Sequence, residues 1–382
     1  MNRVKYRLHP SEYDLGENEK FYGDMEAKGW RLVKRGNNLS KFIPVEPSRT
    51  KYRIEVSSPA FLGEDGLSDG QLAVFEDCGW EHVASRGFLH IFRAPEGSDA
   101  PEFYADPRQQ AGTLKKVRRD LWWSMAFLLL LLVAAVLFIL LNPTSAWQYA
   151  IFVQRAVQCP ALWAGRGLFC LWGIYYIVWS TWKLNRTYRR LKKGEPLDHA
   201  PKTKHAFHRL LHPGLLLLSL LCQLLAVGQL ITIQERELPT QPDGPYIMLS
   251  DIGWEGERTD FMGRHSDITH TTSLLTDYWE TVEYIRTPKD STVWLRQNVY
   301  RLRFPGMSGA LARSLLETAP LAQGPQAFSP VEVEGFDAVW TSRLEMVAVR
   351  GDMVVFATFL GWRDESIDCQ AICAALRAAW EG

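Results

Sequence analysis

From residue 121 to 141 the chain carries no charged side chain, and from Phe127 onward no polar one. Twenty-one residues rising about 1.5 Å each make a helix of roughly 31 Å, enough to cross the hydrocarbon core of a bilayer. A soluble helix of that length would show a polar stripe, and this segment has none. Two further apolar segments follow, at 161–182 and 214–233, the last entered through Pro213, a residue suited to a first helical turn. The pattern therefore predicts three membrane spans, joined by a short aromatic loop at 144–160 and a polar loop at 183–212.

Before the first span the period changes, and the sequence repeats itself. Lys5-Tyr6-Arg7-Leu8 returns as Lys51-Tyr52-Arg53-Ile54, and Gly29-Trp30-Arg31-Leu32-Val33 returns as Gly79-Trp80-Glu81-His82-Val83. An insertion near 58–69 accounts for most of the difference in offset. Each copy predicts strand, helix, strand, strand. The helices are expected at 17–28 and 71–78, with Gly29 and Gly79 just past their ends, where a left-handed backbone costs glycine little. Asn37-Asn38 and Arg86-Gly87 supply turn chemistry for the hairpins. The fold class expected for 1–112 is α+β, a duplicated βαββ domain with antiparallel sheet, followed by a polar linker at 101–110. Such a duplication can enclose a ligand groove at its pseudo-twofold, lined by Trp30 and Trp80. The simpler reading makes both tryptophans core aromatics.

After the last span, 234–382 predicts a second α+β domain. Strands are expected at 281–285, 293–304, 336–340, 344–350 and 353–359, with Gly351-Asp352 as the turn between the last two. Helices are expected at 308–317 and 366–380. In the second of these, Cys369, Ile372, Cys373, Leu376 and Trp380 fall on one face.

Charge adds an orientation. Residues 1–112 hold 15 Lys/Arg against 18 Asp/Glu, a net −3; 113–233 hold 15 against 3, a net +12; 234–382 hold 13 against 22, a net −9. The positive charge lies beside the apolar segments, where anionic headgroups attract it. Lys115, Lys116, Arg118 and Arg119 precede the first span; Arg189, Arg190, Lys192 and Lys193 follow the second. Basic loops stay inside, so the N-terminus is expected in the cytoplasm and the C-terminus outside a multi-pass cytoplasmic membrane protein. The first thirty residues contain no apolar run, so no cleavable signal peptide is expected. Neither flanking domain is basic enough to expect nucleic acid.

Chemistry is sparse. Gly306-Met307-Ser308-Gly309-Ala310 has the outline of a nucleophile elbow, but no histidine follows residue 270, so the usual triad order cannot be built. Ser308 is expected to cap the following helix. His205, His208 and His212, with His199 upstream, sit among Lys202, Lys204 and Arg209, a poor setting for a metal. Cys369 and Cys373 share the apolar stripe and read as packing residues rather than a redox pair. The spans hold no Asp, Glu, Lys or His, which argues against a transporter. No catalytic residue, metal or cofactor is expected. The reading is a non-enzymatic sensory or regulatory protein, with a cytosolic regulator or a membrane complex as partner. The alternative is an accessory subunit of a membrane transport complex, docked through Gln223 and Gln229.

Phe21-Tyr22, Ala27-Lys28-Gly29-Trp30, Tyr52-Arg53-Ile54 and Phe75-Glu76-Asp77-Cys78-Gly79-Trp80-Glu81 together resemble domain-of-unknown-function family twenty-eight-twelve. The resemblance covers roughly residues 1–115. It implies a bacterial protein coupling a cytosolic domain to membrane spans, often encoded near PadR-type regulators. It implies no catalytic residues.

Overall fold

A computed structural model describes residues 4–57, 67, 69–104, 106–142, 144–197, 199, 206–322, 324–361 and 367–381, with the backbone alone at 140, 206–209 and 234. The polypeptide forms two compact units, Met1–Val136 with Leu168–Leu218, and Leu137–Gly167 with Ser219–Gly382. The sequence places divisions at 112 and 233; the packing places them within the long helices.

The first unit opens with the repeat. Copy one is β1 (Lys5–Leu8), α1 (Leu15–Ala27), β2 (Trp30–Arg35) and β3 (Leu39–Pro44). Copy two is β4 (Thr50–Val56), α2 (Asp69–Asp77), β5 (Glu81–Arg86) and β6 (Leu89–Pro95). Each makes a three-stranded antiparallel sheet with its last strand in the middle, ordered β1-β3-β2 and β4-β6-β5. The symmetry reaches the irregularities. The ladder slips between Leu32 and Lys34 in one copy and between His82 and Ala84 in the other, so Val33 and Val83 are equivalent bulge positions. Gly29 and Gly79 both leave their helices at positive φ, +79° and +86°. A side chain at Gly29 would also meet the Val45 carbonyl at 3.0 Å, so glycine is required there twice over.

The stretch expected to be a polar linker is built into the second copy. Phe103 packs edge-on against Trp80, and Glu102 accepts from Arg53 and Lys51. Tyr104 donates to the Glu55 carboxylate at 2.6 Å. Glu55 is 8% exposed. Burial pushes its carboxyl up to about 7, against the opposing pull of the Tyr104 hydroxyl and the Val56 amide. A folded-state pKa above the ordinary carboxyl value stabilises fully at low pH, and that stability is lost as pH rises through about 7. Glu55→Gln should therefore melt like the parent at pH 5 and gain on the order of 3 kcal/mol over it at pH 8. Thermal unfolding at the two pH values checks this, and parallel profiles would refute it.

Among the described residues, three helices are long and apolar enough to cross a membrane, Pro107–Ile139, Pro160–Lys192 and Leu210–Ile231. The first lies in α3 (Pro107–Leu141), which starts fourteen residues before the expected span. Ala111, Leu114, Val117 and Leu121 recur at helical spacing and bury themselves in the core of the repeat with Leu15, Tyr22, Tyr52 and Ile54. α4 (Ser145–Gln158) occupies what the sequence predicts as a loop. α5 (Pro160–Lys192) runs ten residues past its expected end, and Leu184, Tyr188 and Leu191 join the same repeat core. Pro213 does not begin the last apolar helix but lies inside α6 (Ala206–Ile231). Proline breaks one backbone hydrogen bond in a helix interior, a cost that packing against neighbours can absorb.

The second unit is organised on a nine-stranded antiparallel sheet. Its strands are β7 (Gln234–Glu237), β8 (Glu257–Arg258), β9 (Asp267–Thr272), β10 (Thr276–Arg286), β11 (Thr292–Leu302), β12 (Ser329–Val331), β13 (Ala338–Thr341), β14 (Glu345–Arg350) and β15 (Met353–Leu360). The sheet order is β12-β13-β14-β15-β11-β10-β9-β7, with β8 on β10. α7 (Ser308–Thr318) covers one face over Tyr300, Val347, Val354 and Phe356. α8 (Cys369–Glu381) lies in the cluster of the opposite face, with Val293, Leu295, Val355 and Ala357. Cover on both faces explains why β15 is buried from Met353 to Phe359, with Thr358 its one polar residue. α4 packs beside α7, where Gln154 donates to the Ser314 carbonyl at 2.9 Å and to Thr318 at 2.6 Å. Gln158 donates to the Tyr300 hydroxyl at 3.2 Å.

Candidate functional site

Trp172, Tyr176, Trp179 and Lys183 fall at intervals of four, three and four residues and share one face of α5. With Tyr175 they form the helical wall of a cavity of about 400 Å³ in the first unit. α6 adds His212, Pro213 and Leu216; the loops around β1 and β2 add residues 8–12, Asn37 and Asn38. The aromatic rings pair along the helix. Trp172 stacks on Tyr176 with centroids 6.0 Å apart, and Tyr175 on Trp179 at 6.2 Å.

The polar groups of the cavity are mostly committed. Tyr176 donates to Glu12 at 2.7 Å. Lys183 donates to Asp14 at 2.8 Å, with both side chains largely buried, and its ammonium lies 5.6 Å from the Trp179 ring. Burial, then the Glu12 and Tyr176 charges, push the neighbouring Tyr13 hydroxyl far above its ordinary range, so it remains protonated. Two groups stand apart. Trp172 Nε1 and His212 Nε2 are buried and make no hydrogen bond among the described residues. Their rings lie 5.3 Å apart. Aromatic walls with a few polar groups are the usual lining of a small-molecule cavity.

The second unit has a larger and more open groove, about 880 Å³, over β7, β9, β10 and β11. Phe261 stacks on Tyr284 at 5.9 Å on its floor. Burial, with Glu235 and Glu280 nearby, raises the Asp267 carboxyl.

The residues singled out from the sequence are distributed differently. Trp80 is 2% exposed, packs with Phe92 and Phe103, and donates to the Pro101 carbonyl at 2.9 Å. Trp30 borders the other cluster, its ring beneath the Lys5 ammonium at 4.5 Å. The two tryptophans thus belong to separate packing clusters rather than to one groove. Lys115, Lys116, Arg119, Arg189, Lys192 and Lys193 are exposed. Arg118 instead lies over the Tyr188 ring at 3.8 Å, and Arg190 donates to Glu195 at 2.9 Å.

Ser308 does not cap its helix. The cap position is Met307, and the Ser308 hydroxyl donates to the Pro305 carbonyl at 2.8 Å, because a short 3-10 turn precedes α7. His205, Lys202 and Lys204 lie outside the described residues, as do the side chains of His208 and Arg209. Cys373 is buried, which pushes its thiol up to about 12, and Cys369 is half-buried with a raised thiol. Gln223 and Gln229 turn inward. Gln223 donates to Ser219 at 3.2 Å, and Gln229 donates to the Gln158 carbonyl at the end of α4 at 2.6 Å. The cavity itself was missed because its aromatic stripe is indistinguishable, in sequence, from an interfacial belt.

Residues 14–127 match the family described as Protein of unknown function (DUF2812). The match begins after β1 and ends inside α3, so it takes in the part of α3 that packs into the repeat core. No curated protein and no solved structure matches the chain significantly.

Proposed function

We propose that this membrane protein is a non-enzymatic regulator with its repeat domain in the cytoplasm and its nine-stranded domain outside. The observation that carries the reading is the shared core of the first unit. Ala111, Leu114 and Val117 of α3 and Leu184, Tyr188 and Leu191 of α5 are buried in the same cluster as Tyr22, Tyr52 and Ile54 of the repeat. A shift or tilt of either helix must repack that core, since packed interiors do not deform smoothly. The helices therefore suit transmission of a mechanical or ligand-driven change to the repeat, which would act on a cytosolic partner. The exposed lysines at 115, 116, 192 and 193 support contact with anionic headgroups on the same side. The accessory-subunit alternative has less to stand on, because Gln223 and Gln229 already have partners within the chain.

Hydrogen exchange of the full chain in nanodiscs of short- and long-chain lipids tests the coupling. Protection at 107–121, 184–191 and in the repeat strands is expected to change together by at least about threefold. Identical exchange in both bilayers removes the reading. Orientation is read separately with an impermeant maleimide. Exposed Cys78 should label only after lysis, and Met262→Cys, at a position 88% exposed, in intact cells. The opposite pattern inverts the topology.

A further inference from the structure

We propose that the open face of the β1-β3-β2 sheet receives α2 from a second copy of this chain, so that copies join head to tail through their repeats. The contact already exists once inside each molecule. α1 packs on the β4-β6-β5 sheet and turns Glu19, Gly23 and Glu26 toward it. Glu19 accepts from the Ile54 amide at 3.0 Å, and Glu26 accepts from Tyr52 at 2.5 Å and from Arg93 at 3.1 Å. A Cβ at Gly23 would stand 3.3 Å from the Thr50 carbonyl oxygen, so a small residue there lets helix and strand approach. Tyr52 and Arg93 are cross-strand partners, and beside them so are Ile54 and Ile91.

Both halves of this contact recur without a partner. On the first sheet Tyr6 pairs with Lys41 and Leu8 with Leu39, again a phenol opposite a cation and an apolar pair beside them. Here Tyr6 is 60% and Leu39 47% exposed, whereas Tyr52, Ile54 and Ile91 are buried. On α2, counted back from Gly79 as from Gly29, the same three places hold Asp69, Ala73 and Glu76: acidic, small, acidic. All three are exposed, and no residue of α2 is buried. Among the described residues neither Glu76 nor Lys41 makes an ion pair. Lys34 pairs across the strands with Lys41, so two sheet faces laid together would set lysine against lysine, while an acidic helix complements them. Glu76 then meets Tyr6 and Lys41 as Glu26 meets Tyr52 and Arg93. A contact between unlike patches is heterologous and builds a ring or an open chain. The assignment does not depend on the regulatory reading, because association is measured whether or not exchange in the repeat responds.

Cross-linking of the full chain in membranes is the test. Two differently tagged copies are co-expressed in a Cys78→Ser background, one with Val4→Cys and the other with Ala73→Cys. Val4 stands before Lys5 as Thr50 stands before Lys51, and it is exposed, so the pair reproduces the approach of Thr50 to Gly23. A short bis-maleimide is expected to join the two tags, and both cysteines should be required. Lys41→Glu in the first copy or Glu76→Lys in the second should each lower the yield at least about fivefold, and the two together should restore it. Unfolding temperatures near the parent's separate lost association from lost structure. No product carrying both tags, parent-like yield in both charge variants, a charge swap that fails to recover the yield, or equal joining of two Val4→Cys copies overturns the proposal.

Discussion

Glu26→Ala should destabilise the repeat by about 3 kcal/mol, among the largest effects expected of any single polar substitution in the chain. The carboxylate is 1% exposed and joins the two copies. It accepts from Arg31 at 3.0 Å in its own copy, and from Tyr52 at 2.5 Å and Arg93 at 3.1 Å in the other. Removing it takes the carboxylate from Arg31 and from a phenol that burial keeps protonated, and one of two carboxylates from Arg93. Arg93 retains Glu81, and Arg31 is 36% exposed, so the loss falls at the low end for a broken buried pair. Glu26→Gln keeps an acceptor and should cost less. Exchange of the β4 and β6 amides in the full chain measures the difference. A change below about 1 kcal/mol would mean that the copies are held by apolar packing alone.

Trp80→Ala should cost about 3–5 kcal/mol, the usual range for deleting a buried large aromatic. Its ring meets Phe103 edge-on at 4.8 Å, within a cluster that includes Phe75 and Phe92. The Pro101 carbonyl would lose its indole donor as well. Because Phe103 follows the second copy in the chain, the substitution should also loosen 101–104, and limited proteolysis there gives a second readout. Trp80→Phe should recover much of the loss. A well-folded alanine variant with altered ligand binding would instead restore the groove reading for this residue.

Several elements were legible from local pattern. The duplicated strand-helix-strand-strand order, the glycine exits at 29 and 79, the three apolar helices and the Gly351 turn each depend on period, propensity or backbone freedom within a few residues. α4 was less legible. Its apolar face becomes decisive only against α7, and between two apolar segments it reads as a loop. The tail of α5 was hidden by its own charge: Arg186, Arg189 and Arg190 read as loop, while Leu184, Tyr188 and Leu191 between them are buried.

The sequence by itself determined that this chain repeats a βαββ module and follows it with three bilayer-length helices and a second α+β domain. Those features rest on one-dimensional periodicity, and periodicity is local. Only the tertiary structure decided that the helix ends belong to the core of the repeat. It alone seated Trp80 in a packed cluster with Phe92 and Phe103 and gave Gln223 and Gln229 partners within their own chain. It alone gathered Trp172, Tyr176 and His212 around a cavity. Such pairings join residues far apart in sequence, and what a side chain does there depends on which neighbour takes its hydrogen bond.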